Sequence, residues 1–115
     1  PNELIQCLIN IFNNSKDAFK EIKQENPLIF ISTSLQNDNL TIRIKDNAGG
    51  IPQNIISKIY DPYFTTKHKS QGTGLGLHMT YKLIDEGMHG KIEAQNVEFE
   101  YENKIYKGAE FIITF

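Results

Sequence analysis

A single cysteine, Cys7, rules out an internal disulfide, and its place inside an apolar helical pattern is compatible with a reducing compartment. No apolar run approaches the roughly 20 residues of a membrane span, and signal-peptide and lipidation motifs are missing, so no membrane contact is expected of this piece. Neither sign of charge dominates. Twelve Lys and Arg against 14 Asp and Glu leave a formal net charge of -2, which excludes a broad basic face for nucleic acid or anionic lipid. Any anion must be met locally. Low-complexity tracts are absent too, and what remains is 115 residues, 39% hydrophobic, 23% charged and 10% aromatic, the composition of one ordinary globular domain. A core of that size buries roughly 65% of the unfolded surface.

Pro1-Asn2 runs straight into a helical pattern with no initiator Met, so a piece of a longer chain is expected. Leu4, Leu8, Ile11, Ser15, Ala18 and Ile22 recur at spacings of three and four, predicting a helix over 2–25 that Pro27 stops. Asn10, Asn14, Asp17 and Glu21 form a polar stripe on one face of it. Residues 28–35 and the alternating 40–45 predict two strands joined by a turn at Asn37-Asp38-Asn39. Pro52 suits the first turn of a short helix over 52–59. Residues 61–72 show little periodicity and suggest a lid. A helix over 78–86, ended by Gly87 and Gly90, precedes strands over 91–97 and 109–115 with a charged hairpin between them. Helices grouped around hairpin strands predict an α+β sandwich rather than a doubly wound parallel sheet.

Four segments carry chemistry, each with a plainer alternative. Gly72, Gly74 and Gly76 at the mouth of a helix let backbone amides approach an anion, and would serve a flexible hinge equally well. Asp46-Asn47-Ala48-Gly49-Gly50 reads first as an ordinary turn. If Asp46 is instead buried, it must find donors, because an unpaired buried carboxylate costs several kcal/mol, and an exocyclic adenine amine is such a donor. The asparagines of the first helix need no explanation on a solvated face. Asn is nevertheless a poor helix former, and the neutral amide oxygen of Asn14 suits Mg²⁺, a hard cation that binds few protein ligands plus substrate phosphates. Thr65-Thr66-Lys67-His68-Lys69 is either a plain polar loop or a lid whose Lys67 reaches a terminal phosphate, with His68 a solvated loop residue.

In this order along one chain, the segments resemble the ATP-binding catalytic domain of sensor histidine kinases, a Bergerat-fold family related to type II topoisomerase, heat-shock chaperone and mismatch-repair ATPases. Asn10 to Ala18 looks like the asparagine box, Asp46-x-Ala48-x-Gly50 like the first glycine box, Tyr60 to Lys67 like the phenylalanine box, and Gly72-Thr73-Gly74-Leu75-Gly76-Leu77 like the second glycine box. The resemblance covers nearly the whole chain. It implies a two-layer α/β sandwich whose mixed, mostly antiparallel sheet is covered on one face by helices. Residues 1–115 would be one domain, lacking its N-terminal part and the dimerisation domain. ATP and Mg²⁺ are the implied cofactors, with Mg²⁺ on Asn14 and adenine on Asp46. Nucleotide contacts are implied for Asn10, Asn14, Asp17, Asp46, Gly50, Ile51, Thr66, Lys67, Gly72, Thr73, Gly74, Leu75, Gly76 and Leu77, with Lys67 in the catalytic role. The γ-phosphoryl group would pass to a His on the separate dimerisation domain of the same protein, then to an Asp of a response regulator. None of His68, His78 or His89 lies in the context of a phosphoacceptor. The fragment is expected to be monomeric and cytoplasmic, either free or as the cytosolic part of a membrane-anchored sensor.

Departures from the family pattern are informative. Ala48 replaces the first glycine of the aspartyl box, and Ala109 follows Gly108 where many relatives place a hydroxyl residue, a loss worth about 1 kcal/mol of one hydrogen bond. Asn10 stands where hydrolysing relatives carry a Glu, and an amide cannot accept the proton of an attacking water. That favours phosphoryl transfer to a side chain over hydrolysis. The alternatives are a non-catalytic nucleotide-sensing or docking module, or a serine kinase or ATPase of the superfamily, which usually keeps the acid.

Overall fold

The computed structural model describes residues 2–54, 56–60 and 76–115. Helix α1, Asn2–Ile22, buries Cys7, Ile11 and Ser15 along its apolar arc. It ends before the predicted residue 25 for a local reason. Lys23 takes a left-handed φ of 54°, its N–H donates to Lys20 O at 3.3 Å, and the Gln24 N–H donates to Phe19 O at 3.0 Å. This is the Schellman pair of bonds, made here with lysine in the position glycine usually fills. Pro27 is therefore not the stop.

Strands β1, Ile29–Gln36, and β2, Asn39–Asp46, pair through a two-residue turn in which Asn37 and Asp38 both have positive φ, 52° and 67°. Those angles suit a type I′ turn, whose twist matches that of the strands. The predicted helix over 52–59 contracts to a 3-10 turn at Ile56–Lys58, with Ile56 N–H donating to Pro52 O. Helix α2, Gly76–Lys82, runs on into a π-helical turn, Leu83–Gly87. The left-handed residue beyond it is His89, at 54°, and Gly90 N–H closes the end on Ile84 O at 2.7 Å.

The last two strands are longer than their sequence suggests. Strand β3, Lys91–Tyr101, and strand β4, Lys104–Thr114, run through the charged stretch expected as a loop and turn at Glu102-Asn103. Alternation explains the extension, since Val97, Phe99 and Tyr101 share one face while Glu98 and Glu100 take the other.

The sheet order is β1-β2-β4-β3 and every pairing among the described strands is antiparallel. The helices cover one face, where Ile42, Ile44, Ile92, Phe111 and Ile113 pack with Cys7, Ile11, Ile59 and Ile84. Each such aliphatic side chain contributes about 1.5–3 kcal/mol on burial. On the opposite face the sheet coils enough for outer strands to touch across two others. Phe30 of β1 meets Tyr101 and Phe99 of β3 at ring-centroid distances of 5.0 and 5.7 Å, with Lys45 Nζ 4.3 Å from the Phe99 centroid. The result is the two-layer α+β sandwich expected. No helix among the described residues is long and apolar enough to cross a membrane.

Candidate functional site

Asp46 ends β2 at the boundary of the core and is only 5% exposed. Burial at that depth demands donors, and three are present. Its Oδ1 accepts the backbone N–H of Ala48 at 3.0 Å and of Ala109 at 3.1 Å, and its Oδ2 accepts Ser15 Oγ at 2.7 Å. A carboxylate oxygen has two lone pairs, so Oδ2 retains one direction for a further N–H donor. The ordinary solvent-facing turn is thereby excluded for Asp46.

Two glycine features let the backbone reach this position. A Cβ on Gly108 would lie 1.6 Å from the carbonyl oxygen of Asp46, so only glycine lets β4 pass so close beneath the end of β2. After Asp46 the chain turns sharply through Gly49 and Gly50, with φ of 91° and 87°. The substitution of Ala48 for a family glycine is harmless, because the left-handed angles fall on its two neighbours and Ala48 packs into the core at 5% exposure. Asn47 locks the near side of the turn. Its side chain accepts Leu28 N–H and donates to Asn26 O, both at 2.9 Å, and its carbonyl accepts Gln24 Nε2 at 2.8 Å.

On α1, Asn14 is partly exposed and directly precedes the buried Ser15 in the chain. Asp17, on the same stripe, is partly exposed as well. Asn10 bridges α1 to α2, accepting from Gln6 Nε2 and donating to Thr80 Oγ1, each at 3.1 Å, with Thr80 fully buried. Cys7 Sγ approaches Thr80 O at 3.9 Å, and burial pushes that thiol above its ordinary pKa. Gly76 opens α2, and Leu77 packs against the core. Gly50 and Ile51 lie on the turn beyond Asp46. Thr66, Lys67, Gly72, Thr73, Gly74 and Leu75, together with the expected lid over 61–72, lie outside the described residues.

Further groups matter that sequence reasoning passed over. Ser15 falls within the apolar arc of α1, and the signal for its role is that a hydroxyl at a buried position needs a partner. His78 Nδ1 lies 3.1 Å from Tyr60 O, tying the second residue after Gly76 to the end of the 56–60 segment. The Tyr60 hydroxyl is buried without a hydrogen-bond partner among the described residues, and burial, with the Glu93 carboxylate second, pushes its pKa well above the ordinary phenol range. Asn96 grips the backbone of Ile51 from β3.

The model of the histidine kinase-, DNA gyrase B- and HSP90-like ATPases matches residues 1–115. Sporulation kinase E of Bacillus subtilis is 34% identical over 99 residues, covering 85% of this chain and 12% of its own length. A probable C4-dicarboxylate sensor kinase of Halalkalibacterium halodurans is 33% identical over 95 residues, covering 83% of this chain and 18% of its own. The chain thus spans less than a fifth of these curated relatives. Among solved structures, the catalytic domain of the histidine kinase ThkA, in a nucleotide-free form, superposes with a TM-score of 0.76 at 32% identity, covering 99% of this chain and 67% of that one. The mycobacterial sensor histidine kinase MprB, 14% identical at a TM-score of 0.78, shares the fold. A buried carboxylate beside a paired-glycine turn, on a sheet of this order, together with these likenesses, places the chain in the histidine kinase-, gyrase B- and HSP90-like ATPase family, as an ATP-binding domain of the sensor histidine kinase type.

Proposed function

We propose that this domain binds ATP with its adenine against Asp46 and Mg²⁺ on Asn14, and delivers the γ-phosphoryl group to a histidine on a separate dimerisation domain of the same protein. The observation that carries this reading is the spare acceptor direction on Asp46 Oδ2, beside Ser15 of α1. Adenine offers an amine at that edge, whereas guanine offers a carbonyl oxygen that would face the carboxylate.

The donor set suits Mg²⁺ in particular. Among the described residues no three His, Cys, Asp or Glu side chains come together as a metal site, so a protein-only cage is missing. A single amide oxygen from Asn14 fits a cation that takes its other ligands from water and phosphates, and when bound it neutralises phosphate charge. In the same reading the amides of Gly74, Leu75 and Gly76 hold phosphate oxygens, Lys67 meets the charge developing on the γ-phosphoryl group, and Asp17, Gly50, Ile51, Thr66, Gly72, Thr73 and Leu77 line the nucleotide. Asn10, an amide bonded to Gln6 and Thr80, has no proton-accepting chemistry to offer a water, which supports transfer over hydrolysis. The phosphoryl group would continue to an Asp of a response regulator, in the cytoplasm.

Calorimetric titration with ATP and GTP, each with and without Mg²⁺, tests the base pocket and the metal together. ATP is expected to bind at least about tenfold tighter than GTP, the worth of one charge-assisted hydrogen bond, and tighter with Mg²⁺ than without. Equal affinity for the two bases would remove Asp46 from adenine recognition. Indifference to Mg²⁺ would remove Asn14 as a ligand.

A further inference from the structure

Asn96 lies on β3 directly opposite Ala109 of β4, and the Ala109 N–H reaches Asp46 Oδ1 at 3.1 Å. Asn96, Ala109 and Asp46 therefore form one row across the helix-side face of the sheet. The segment after Asp46 follows that row. It leaves β2 over Gly108, is bonded midway by Gly49 N–H to Lys107 O at 3.0 Å, and arrives at β3, where Asn96 takes hold of Ile51. The Asn96 Oδ1 accepts the Ile51 N–H and its Nδ2 donates to the Ile51 carbonyl, both at 2.6 Å. One side chain thus supplies the donor and acceptor that a neighbouring strand would have offered. The fit is close: a Cβ on Gly50 would lie 2.9 Å from Asn96 Oδ1.

The turn is consequently stretched over β4 between two carboxamides, Asn47 holding its start to the backbone of Asn26 and Leu28, and Asn96 holding its end. Asp46 lies between the clamps and is fixed by its own bonds, so what the far clamp sets is the height of Gly50 and Ile51 above Gly108 and Ala109. The turn rests directly on β4 there, a Cβ on Gly50 lying 3.4 Å from the Gly108 carbonyl oxygen, so the clamp fixes the edge that the turn presents beside the Asp46 carboxylate. Resting on the adenine reading above, we propose that Asn96 is a positioning residue for base recognition, holding Gly50 and Ile51 in place as the wall beside which a purine meets the Asp46 carboxylate. Asn96 is solvent-exposed, and water competes for both of its bonds. Its effect therefore falls on where the turn sits more than on whether the domain folds.

Carboxyl chemistry gives a test that a purely structural role would not satisfy. In Asn96→Asp the ionised side chain keeps an acceptor for the Ile51 N–H but turns a second acceptor on the Ile51 carbonyl. Protonation restores a donor there, so acid should rescue this variant while leaving Asn96→Ala unrescued. In the full-length protein, ADP affinity relative to the parent is expected to fall about three- to tenfold for Asn96→Ala at every pH between about 4 and 8. For Asn96→Asp the same deficit is expected at pH 8 and a return to within about twofold of the parent near pH 4, where a carboxyl of ordinary pKa about 3.9 is roughly half protonated. Amide exchange at Ile51 should quicken in Asn96→Ala, with melting temperatures of the nucleotide-free proteins unchanged within about 2 °C.

If both variants bind ADP as the parent does, or if affinity drops only in step with melting temperature while Ile51 exchange stays slow, Asn96 has no positioning role. A deficit in Asn96→Asp that persists unchanged at pH 4 would likewise overturn the two-way clamp. Failure of the parent itself to bind ADP would instead strike the nucleotide reading, so the two failures are told apart by the parent titration.

Discussion

At Asp46 three donors fill three of the four lone-pair directions of a carboxylate, and the identity of the fourth partner decides what the pocket selects. Two of the three are backbone N–H groups that any residue would supply at those positions. The third is the Ser15 hydroxyl, which α1 brings down onto Oδ2 where Ala109 has no hydroxyl to give. Asp46→Asn tests the fourth direction with little change of shape. An amide oxygen can still accept from Ala48 and Ala109, and the Ser15 hydroxyl can rotate to accept rather than donate, so the fold should persist. The group facing the ligand, however, becomes an N–H pointed at the adenine amine. Adenine nucleotide affinity is expected to fall by more than tenfold, consistent with about 1.5–3 kcal/mol for a hydrogen bond to a charged group, while the melting temperature moves by only a few degrees. Calorimetry beside a thermal melt reads both quantities. Equal ATP binding by the variant would show that the carboxylate faces something else.

Between elements, β4 passes close to the end of β2, and that approach depends on one missing methyl group. A Cβ on Gly108 would meet the Asp46 carbonyl oxygen at 1.6 Å and Asp46 Oδ1 at 2.9 Å, and backbone atoms cannot swing aside as a side-chain end can. Gly108→Ala is therefore expected to destabilise by about 3 kcal/mol or more, because the two strands must part where they pair. Gly87→Ala is the control. It meets nothing within 4 Å in a helical turn, and is expected to be neutral or to stabilise by about 0.5–1 kcal/mol. Urea unfolding of the two variants separates the predictions. The contrast also explains which parts were legible in the sequence. The α1 periodicity and the β1–β2 alternation depend on neighbours in the chain, and they mark those elements to within a few residues. The extent of β3 and β4 was not, because Glu98, Glu100, Lys104 and Lys107 resemble a loop until Phe99 and Tyr106 are seen packing with Phe30 and Tyr101 on the open face. Ser15 and Asn96 were silent for the same reason: the partners that give them meaning are Asp46 and Ile51, 31 and 45 residues away.

For the molecule as a whole, the question is whether it carries its own acceptor. In-line transfer requires the attacking nitrogen within about 3–3.5 Å of the γ-phosphorus, with its lone pair free and aligned. His78 has Nδ1 engaged with the Tyr60 carbonyl and sits on α2, in its first turn after Gly76. That bond ties α2 to the 56–60 segment while leaving the ring lone pair on Nε2, and it is the resemblance that gives His78 no acceptor role. His89 lies past the π-helical turn, beyond the 11 steps from Gly76 to Gly87, and at about 1.5 Å per residue that run is roughly 16 Å, several times the reach of the reaction. The resemblance gives no acceptor role to His68 either, so the chain is expected to hold Mg-ATP without labelling itself. With ATP radiolabelled on the γ-phosphate, the 115-residue chain should remain unlabelled over times in which the full-length protein acquires an acid-labile, base-stable phosphate. Adding the dimerisation domain in trans should move label onto that domain. Label on the isolated chain that His68→Gln abolishes would show that the acceptor travels with the ATP-binding domain, and the separation of donor and acceptor into two domains would then be wrong for this protein.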